Sequence, residues 1–431
     1  MQLSRRQFTK MVGAAAALSG KPAHATAVDL HYFLSIGQSL DQGHLGNPAL
    51  STVQPFANTT VSGTTFTALT ANTVDSSVVV EDPVVAFMNT LTSLSGGAGA
   101  YDGVVYRSGA GSAGYNSLKK GTSNYNAALT NAGLMPTAAS MAGKTYEFTG
   151  ALCVHGETDS SLTAGSVYKT DLETWRSDYQ TDLYAISSQT GNDFKFFLDQ
   201  TFSWNGGVHG MAVPLTDFDN TPNAAQAQWW AMRDNPGLFY LVCPLFIFPY
   251  ADGIHLTNAG YRRLGEYAGL WAYRAIVQGY RWSGLPPRRI TRDGAVITCQ
   301  FWVQPGRSLV IDTTTLSSKG NGKGFEFTDN SGNTPAISSV SVSGDAALIT
   351  LASTPTGGNQ RLQNAYGATL NAGGGTSGQA HTNIRDDDPA LGPYSGAHMY
   401  NWAHMFDEPI GFSWLETGRL FSGGIGSGFL R

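Results

Sequence analysis

Cysteine is nearly absent, with only Cys153, Cys243 and Cys299 in 431 residues. An odd number at such wide spacing argues against a disulfide framework and against a clustered zinc site. Cys153 and Cys243 fall inside apolar, strand-like runs, where a thiol packs as a small hydrophobe. A bridge between them would require those two strands to be neighbours. Charge is scarce too. Charged residues make up 13% of the chain, about half the ~25% usual for soluble globular proteins. The formal net charge is −5 and there is no basic tract, which makes nucleic acid and anionic membrane poor partners. Past the first twenty-five residues no apolar run approaches the ~20 residues that cross a bilayer, so no stable membrane insertion is expected.

Glycine is abundant, with 52 residues beside 18 prolines, so many turns and long loops are expected. A low-charge surface rich in Gly, Ser, Thr, Asn and aromatics is common among secreted proteins that handle sugars. Residues 1–25 read as an address. Ser4-Arg5-Arg6-Gln7-Phe8-Thr9-Lys10 has the twin-arginine form, Met11 to Leu18 is a short apolar stretch, and Ala23-His24-Ala25 offers small residues for cleavage. Lys21 discourages the alternative export route. The expectation is recognition by the twin-arginine export machinery and a periplasmic or extracellular destination. Such substrates fold before export, in a reducing cytoplasm, which agrees with the scarcity of cysteine.

The chain divides near Gly284-Leu285-Pro286-Pro287. Before that point strand-like and helix-like patterns alternate. Candidate strands lie at 30–36, 103–106, 148–154, 194–198 and 238–243, and candidate helices at 82–94, 166–187, 222–233 and 257–279. Five parallel strands with right-handed crossovers give an α/β, flavodoxin-like three-layer domain over residues 28–284. Residues 47–81 have no helical period and read as a long loop or hairpin excursion. Beyond residue 288 short alternating runs such as 295–303, 308–311, 324–328 and 346–351 imply an all-β sandwich over 288–412. Tyr394, His398, Tyr400, Trp402 and His404 could stack on sugar rings or form a buried seam against the first domain. The tail, residues 413–431, has no clear period and stays unassigned.

Two distant segments carry the chemistry. Gly37-Gln38-Ser39 closes the first strand, and Asp252-Gly253-Ile254-His255 lies more than two hundred residues later. A serine hydroxyl is a poor nucleophile until a histidine takes its proton and an acid holds that histidine in the right tautomer. Asp252 and His255 are three apart, so one tight turn lets the carboxylate reach a ring nitrogen. Each residue has a plainer alternative: Ser39 could cap the following helix, and Asp252 with His255 could be a helix-capping pair.

The order Ser, Asp, His with a DxxH pair resembles that of the SGNH (GDSL-like) hydrolases, in their sialate O-acetylesterase and acetylxylan-esterase-like branch. Two further blocks carry the resemblance. Ser108-Gly109-Ala110-Gly111-Ser112-Ala113-Gly114-Tyr115 looks like the glycine-rich second block, and His155-Gly156-Glu157-Thr158-Asp159 is similar to the branch's GExD motif. Asp252 to Tyr261 matches the form of its last block. Four blocks in order, over roughly residues 28–279, are far more specific than any one alone.

The resemblance implies an SGNH hydrolase domain with Ser39 as nucleophile, His255 as base and Asp252 as its orienting acid. It implies an oxyanion hole from the backbone of Ser39 and of Gly114 or Gly111, with Gly114 favoured, and from the side chain of His155, where the family often has Gln. Gly156, Glu157 and Asp159 would support the loops, Glu157 as a buried acid held by backbone donors and Asp159 by orienting a neighbour. No cofactor or metal is implied, since three ligands within five residues rarely share an ion without a fourth from elsewhere. Asp217, Asp219 and His209 read as a solvated loop. The implied substrate is an acylated carbohydrate: xylan, a sialylated glycan or a bacterial polysaccharide. A general carboxylesterase or lipase, and a non-catalytic glycan-binding protein, are the alternatives.

Overall fold

The computed structural model describes residues 28–74, 77–201, 204–205, 208–209, 223–366 and 380–414. The expected signal peptide at 1–25, Asp217, Asp219 and the tail beyond Trp414 lie outside the described residues. The first half opens with β1 (Leu30–Gly37), followed by two hairpins, β2 (Thr59–Ser62) with β3 (Thr65–Ala68) and β4 (Asn72–Val74) with β5 (Val78–Val80). Then come α1 (Pro83–Leu94), β6 (Asp102–Arg107), α2 (Ser123–Ala132), α3 (Met135–Met141) and β7 (Tyr146–Val154). A short α4 (Asp159–Leu162) precedes α5 (Gly165–Ser187) and β8 (Lys195–Gln200). The half closes with the two-residue strands β9 (Trp204–Asn205) and β10 (Val208–His209), then α6 (Ala224–Asp234), β11 (Phe239–Pro244) and α7 (Asn258–Ala272).

The main sheet has the order β11-β8-β7-β1-β6-β2-β3. Its first five strands pair in parallel, and β3 returns antiparallel to β2. In chain order those five strands run 2-1-3-4-5 from the β6 side, so the winding reverses between β1 and β7. The crevice beyond the carboxyl ends of the strands at such a reversal is where open α/β sheets hold ligands. Consecutive strand residues face opposite sides of a sheet, and β1 shows what covers each side. The Tyr32 hydroxyl donates to Asn131 on α2 at 3.0 Å, while the Phe33 ring meets Phe87 on α1 edge-on at 5.3 Å. Coverage of both faces explains why β1, β7 and β11 read as continuous apolar runs rather than as alternation.

Two glycines set the approach of α7 to α1. A Cβ on Gly265 would lie 2.2 Å from the Pro83 carbonyl oxygen, and one on Gly269 would lie 2.5 Å from that of Phe87. Only a residue without a side chain permits that contact. Both helices begin on a side-chain cap: Asp82 accepts from the Val84 N–H at 3.1 Å, with Pro83 at the first helical position, and Thr257 accepts from the Gly260 N–H at 3.2 Å. After Ala272, α7 widens into a π-helical turn, Tyr273–Val277, so the regular helix ends before the expected residue 279.

The remainder is antiparallel. Strands β12 (Pro287–Asp293), β13 (Val296–Phe301), β14 (Leu309–Ile311), β15 (Phe325–Thr328), β16 (Ile337–Ser343), β17 (Ala346–Leu351), β18 (Arg361–Asn364), β19 (Ile384–Asp386) and β20 (Phe406–Pro409) build three sheets. These are β12-β13-β17-β16, β14-β19 and β15-β18-β20. Burial alternates along β13 and β17, because each sheet has one covered face. Phe301 packs against Phe325 and Phe406, which joins the four-stranded sheet to the three-stranded one.

The two halves share one core. A single buried cluster contains Leu34 and Trp271 from the first half and Ile290, Ile349 and Phe406 from the second. Polar groups stitch the same seam. Gln200 exchanges two bonds of 2.8 Å with the backbone of Met405, and Glu408 accepts from the indoles of Trp229 and Trp230 at 2.8 and 3.0 Å. Trp402 and His404 are buried in this seam rather than presented as a platform.

Candidate active site

The turn after β1 is built for Ser39. Gly37 has φ +154°, and a Cβ there would sit 2.0 Å from the Val154 carbonyl oxygen, so this position accepts only glycine. The Gln38 N–H donates to that same carbonyl at 3.2 Å, and the His44 N–H donates to the Ser39 carbonyl at 3.0 Å. Beneath the turn Asp41 is buried and accepts from the Ser35 hydroxyl. Burial pushes the Asp41 carboxyl up to about 8 against the opposing hydrogen bond from Ser35, so this acid is neutral at pH 7.

Asp252 and His255 lie on the tight turn leading into α7. The turn is closed by the Ala251 N–H donating to the His255 carbonyl at 2.7 Å. His255 Nδ1 is 2.8 Å from Asp252 Oδ2, and its Nε2 is 2.9 Å from Ser39 Oγ. Asp252 Oδ1 also accepts from the N–H groups of Ile254 and His255, each at 2.6 Å. Burial works to raise the Asp252 carboxyl, but the bonds from the His255 ring and from the two backbone N–H groups outweigh it and hold the acid below its ordinary value. An ionised acceptor at Nδ1 fixes the proton there and leaves Nε2 as the base facing the serine. The structure thus brings Ser39 together with a pair of residues more than two hundred positions away.

Ser39 and His255 line a cleft of about 620 Å³, with Gln38, Gln42, His44, Gly111, Ser112, Glu157, Thr158 and Ile254 as its other walls. Of the two glycines considered for the oxyanion, Gly111 lines this cleft. Gly114 instead packs against Asp159, where a Cβ would lie 3.1 Å from Oδ2. The expectation for His155 is corrected. Its ring is fully buried, with Nε2 3.2 Å from the Ala113 carbonyl and Nδ1 2.8 Å from the Tyr168 hydroxyl. A carbonyl only accepts, so Nε2 carries the proton and Nδ1 accepts from Tyr168. Burial lowers the pKa of His155 and keeps it neutral. Its hydrogen bonds fix the second block to the third, and none is left over for a ligand.

Asp159 accepts from the Tyr115 N–H at 2.9 Å and the Thr163 hydroxyl at 2.7 Å. Glu157 differs in its partners. Its Oε1 accepts from the Thr201 hydroxyl at 2.8 Å, while Oε2 is buried without a hydrogen-bond partner. Burial raises its pKa and that of Asp199, a second buried acid that accepts from the His155 N–H. Gly156, with φ +148°, makes the turn between His155 and Glu157. Among the described residues no His, Cys, Asp and Glu cluster could hold a metal ion. All three cysteines are free and buried. Cys153 on β7 and Cys243 on β11 are kept apart by β8.

Sequence reasoning missed Asp41, Asp199, Thr201 and His44. His44 had a usable signal, a histidine five residues past the serine in a glycine-flanked turn. Asp199 and Thr201 depend on contacts across strands, and Asp41 on a bond from Ser35 on β1. No helix among the described residues is long and apolar enough to cross a membrane.

No family model matches the chain, and no curated protein matches it. Solved structures do. The fold is similar to that of a carbohydrate acetylesterase from Xanthomonas citri, with TM-score 0.51 and 14% identity over 88% of this chain and 80% of that one. A protein from Arabidopsis thaliana matches at TM-score 0.41 and 15% identity, over 58% of this chain and 99% of that one. NanS matches at TM-score 0.31 and 14% identity, over 49% and 76%. At these identities the likeness to the Xanthomonas protein is one of fold.

Proposed function

We propose that this protein is a serine esterase of the SGNH type that removes acetyl groups from carbohydrate. The observation that carries the reading is the unbroken run Ser39 Oγ, His255 Nε2, His255 Nδ1, Asp252 Oδ2 at the wall of the cleft, with contacts of 2.9 and 2.8 Å. In this reading Ser39 Oγ attacks the ester carbonyl as its proton passes to His255 Nε2. The imidazolium formed is stabilised by Asp252 and then gives that proton to the departing alcohol. Water, deprotonated by the same nitrogen, hydrolyses the acetyl-enzyme and restores the serine. The backbone N–H groups of Ser39 and Gly111 are the proposed oxyanion donors, each worth about 3–4 kcal/mol in such sites. No cofactor enters any step.

The substrate class rests on fold-level likeness to a carbohydrate acetylesterase and on the side chains of Gln38, Gln42, His44 and Ser112 that line the cleft beside Ser39. Export through the twin-arginine pathway, to the periplasm or beyond, rests on the Arg5-Arg6 motif. The test is acetate release from a panel of acetylated glycans by the wild type and Ser39→Ala. The variant should lose all release and all labelling by a fluorophosphonate while keeping its far-UV spectrum. Labelling that persists at another serine overturns the assignment, and a preference for long acyl chains on nitrophenyl esters would indicate a lipase. Arg5→Lys with Arg6→Lys should leave unprocessed precursor in the cytoplasm.

A further inference from the structure

His44 lines the cleft beside Ser39, and its ring lies against that of His255, with centroids 4.9 Å apart and planes tilted by 58°. The backbone holds it there firmly. Its N–H donates to the Ser39 carbonyl at 3.0 Å, its own carbonyl accepts from the Tyr261 hydroxyl at 2.8 Å, and Leu45 turns the chain away with φ +64°. Gly43 lies so close to the Glu81 carbonyl that a Cβ would be 2.2 Å from its oxygen. Yet neither ring nitrogen of His44 has a hydrogen-bond partner among the described residues. An imidazole carried on a fixed backbone and packed against His255, with both nitrogens unused at the wall of a cleft, is a contact open to a polar group.

Chemistry says which part of the substrate it meets. In the proposed reaction the leaving oxygen must come within hydrogen-bond reach of His255 Nε2 to be protonated. A ring packed on His255 therefore borders the space of the leaving alcohol rather than that of the acyl group. Neutral imidazole both donates and accepts, which matches a hydroxyl. We propose that His44 is a specificity residue that hydrogen-bonds a free hydroxyl next to the ester on the leaving alcohol, so the preferred substrates are partly acetylated polyols. This rests on the esterase reading and narrows it to monoesters with a free neighbouring hydroxyl.

The experiment compares kcat/KM for methyl 2-O-acetyl-xyloside, which has a free neighbouring hydroxyl, with that for cyclohexyl acetate, which has none. Both are alkyl acetates of six-membered rings; the more acidic sugar alcohol raises the ratio equally in wild type and variant, so the change in the ratio on substitution at His44 reports its contact with the sugar's hydroxyl. His44→Phe keeps an aromatic ring on His255 and loses both polar nitrogens. It should lower the ratio roughly ten-fold, the value of one neutral hydrogen bond. His44→Gln, which can donate and accept, should restore part of it. A ratio unchanged in His44→Phe overturns the proposal, whether both rates hold or both fall together, because the ring would then serve His255 alone. A wild-type ratio near one overturns the carbohydrate reading with it, and loss of cyclohexyl acetate hydrolysis in Ser39→Ala would still uphold the esterase.

Discussion

Asp41→Asn should stabilise the protein by an amount that grows with pH. The wild-type acid is buried two residues from Ser39, and burial lifts its pKa to about 8. In the unfolded chain the same group ionises near ~3.9. Between those values the native state holds a proton that the unfolded state has released. The stability from Asp41 is therefore fully present below the unfolded value and is lost as pH rises towards 8. At about 1.36 kcal/mol per pH unit, the loss by pH 7 is about 4 kcal/mol. Asparagine has the same shape, can still accept from Ser35, and does not titrate. The difference in unfolding free energy between variant and wild type should thus widen by about 4 kcal/mol from pH 5 to pH 8. Urea titrations at several pH values measure it directly, and comparing the proteins at each pH cancels the other ionisable groups. Parallel stability profiles would refute the reasoning, because Asp41 would then be ionised in the native state.

His404 acts on the acid side. It is buried in the seam with burial pushing its pKa down to about 3, so its stabilising contribution is present above about 6.5, the unfolded value, and is lost as pH falls below it. His404→Leu should therefore raise the melting temperature at pH 4 more than at pH 7, and equal shifts at both would count against a neutral native histidine. Asp252→Asn should lower kcat/KM on the order of a hundred-fold, short of the ~10⁴ found where such an aspartate is fully buried, because its side chain is 43% exposed and water can replace it. A loss equal to that of His255→Ala would contradict this. A chain ending at residue 284 should aggregate, since it would expose the surfaces that meet Met405 and Phe406, and a soluble, active truncation would make 288–412 an independent module.

The parallel strands and the triad pair were legible for one reason: each signal is local. Strands buried on both faces leave continuous apolar runs, and the DxxH turn and the glycine before Ser39 are set by their own backbone geometry. Helices α2 and α3 were missed because they bury little. In α2 only Tyr125, Ala128 and Ala132 are buried, a stripe too small and too weakly apolar to mark a period. His155 misled because sequence gives the residue at a strand end but not the direction of its ring, which Tyr168 on α5 decides. The seam was left open at residues 394–404 for a similar reason. An aromatic cluster looks alike whether it meets a sugar or its own helices, and only the partners, such as Tyr267 bonding the Tyr400 carbonyl at 2.9 Å, tell them apart.

The bond from Glu408 to α6 also sets a clock. Trp229, Trp230 and Arg233 leave the ribosome 175 to 179 residues before the carboxylate that receives them. At ordinary rates of synthesis that interval is on the order of ten to forty seconds. Throughout it the helix beside β8 and β11 exists with its outer face uncovered and two indole N–H groups without their native acceptor. The nascent chain can wind most of its parallel sheet early, but it cannot close its core until β20 arrives. Slowed translation between α6 and β20, or a premature stop within that stretch, would prolong the stage at which this protein is most exposed to chaperones, proteases and its own copies.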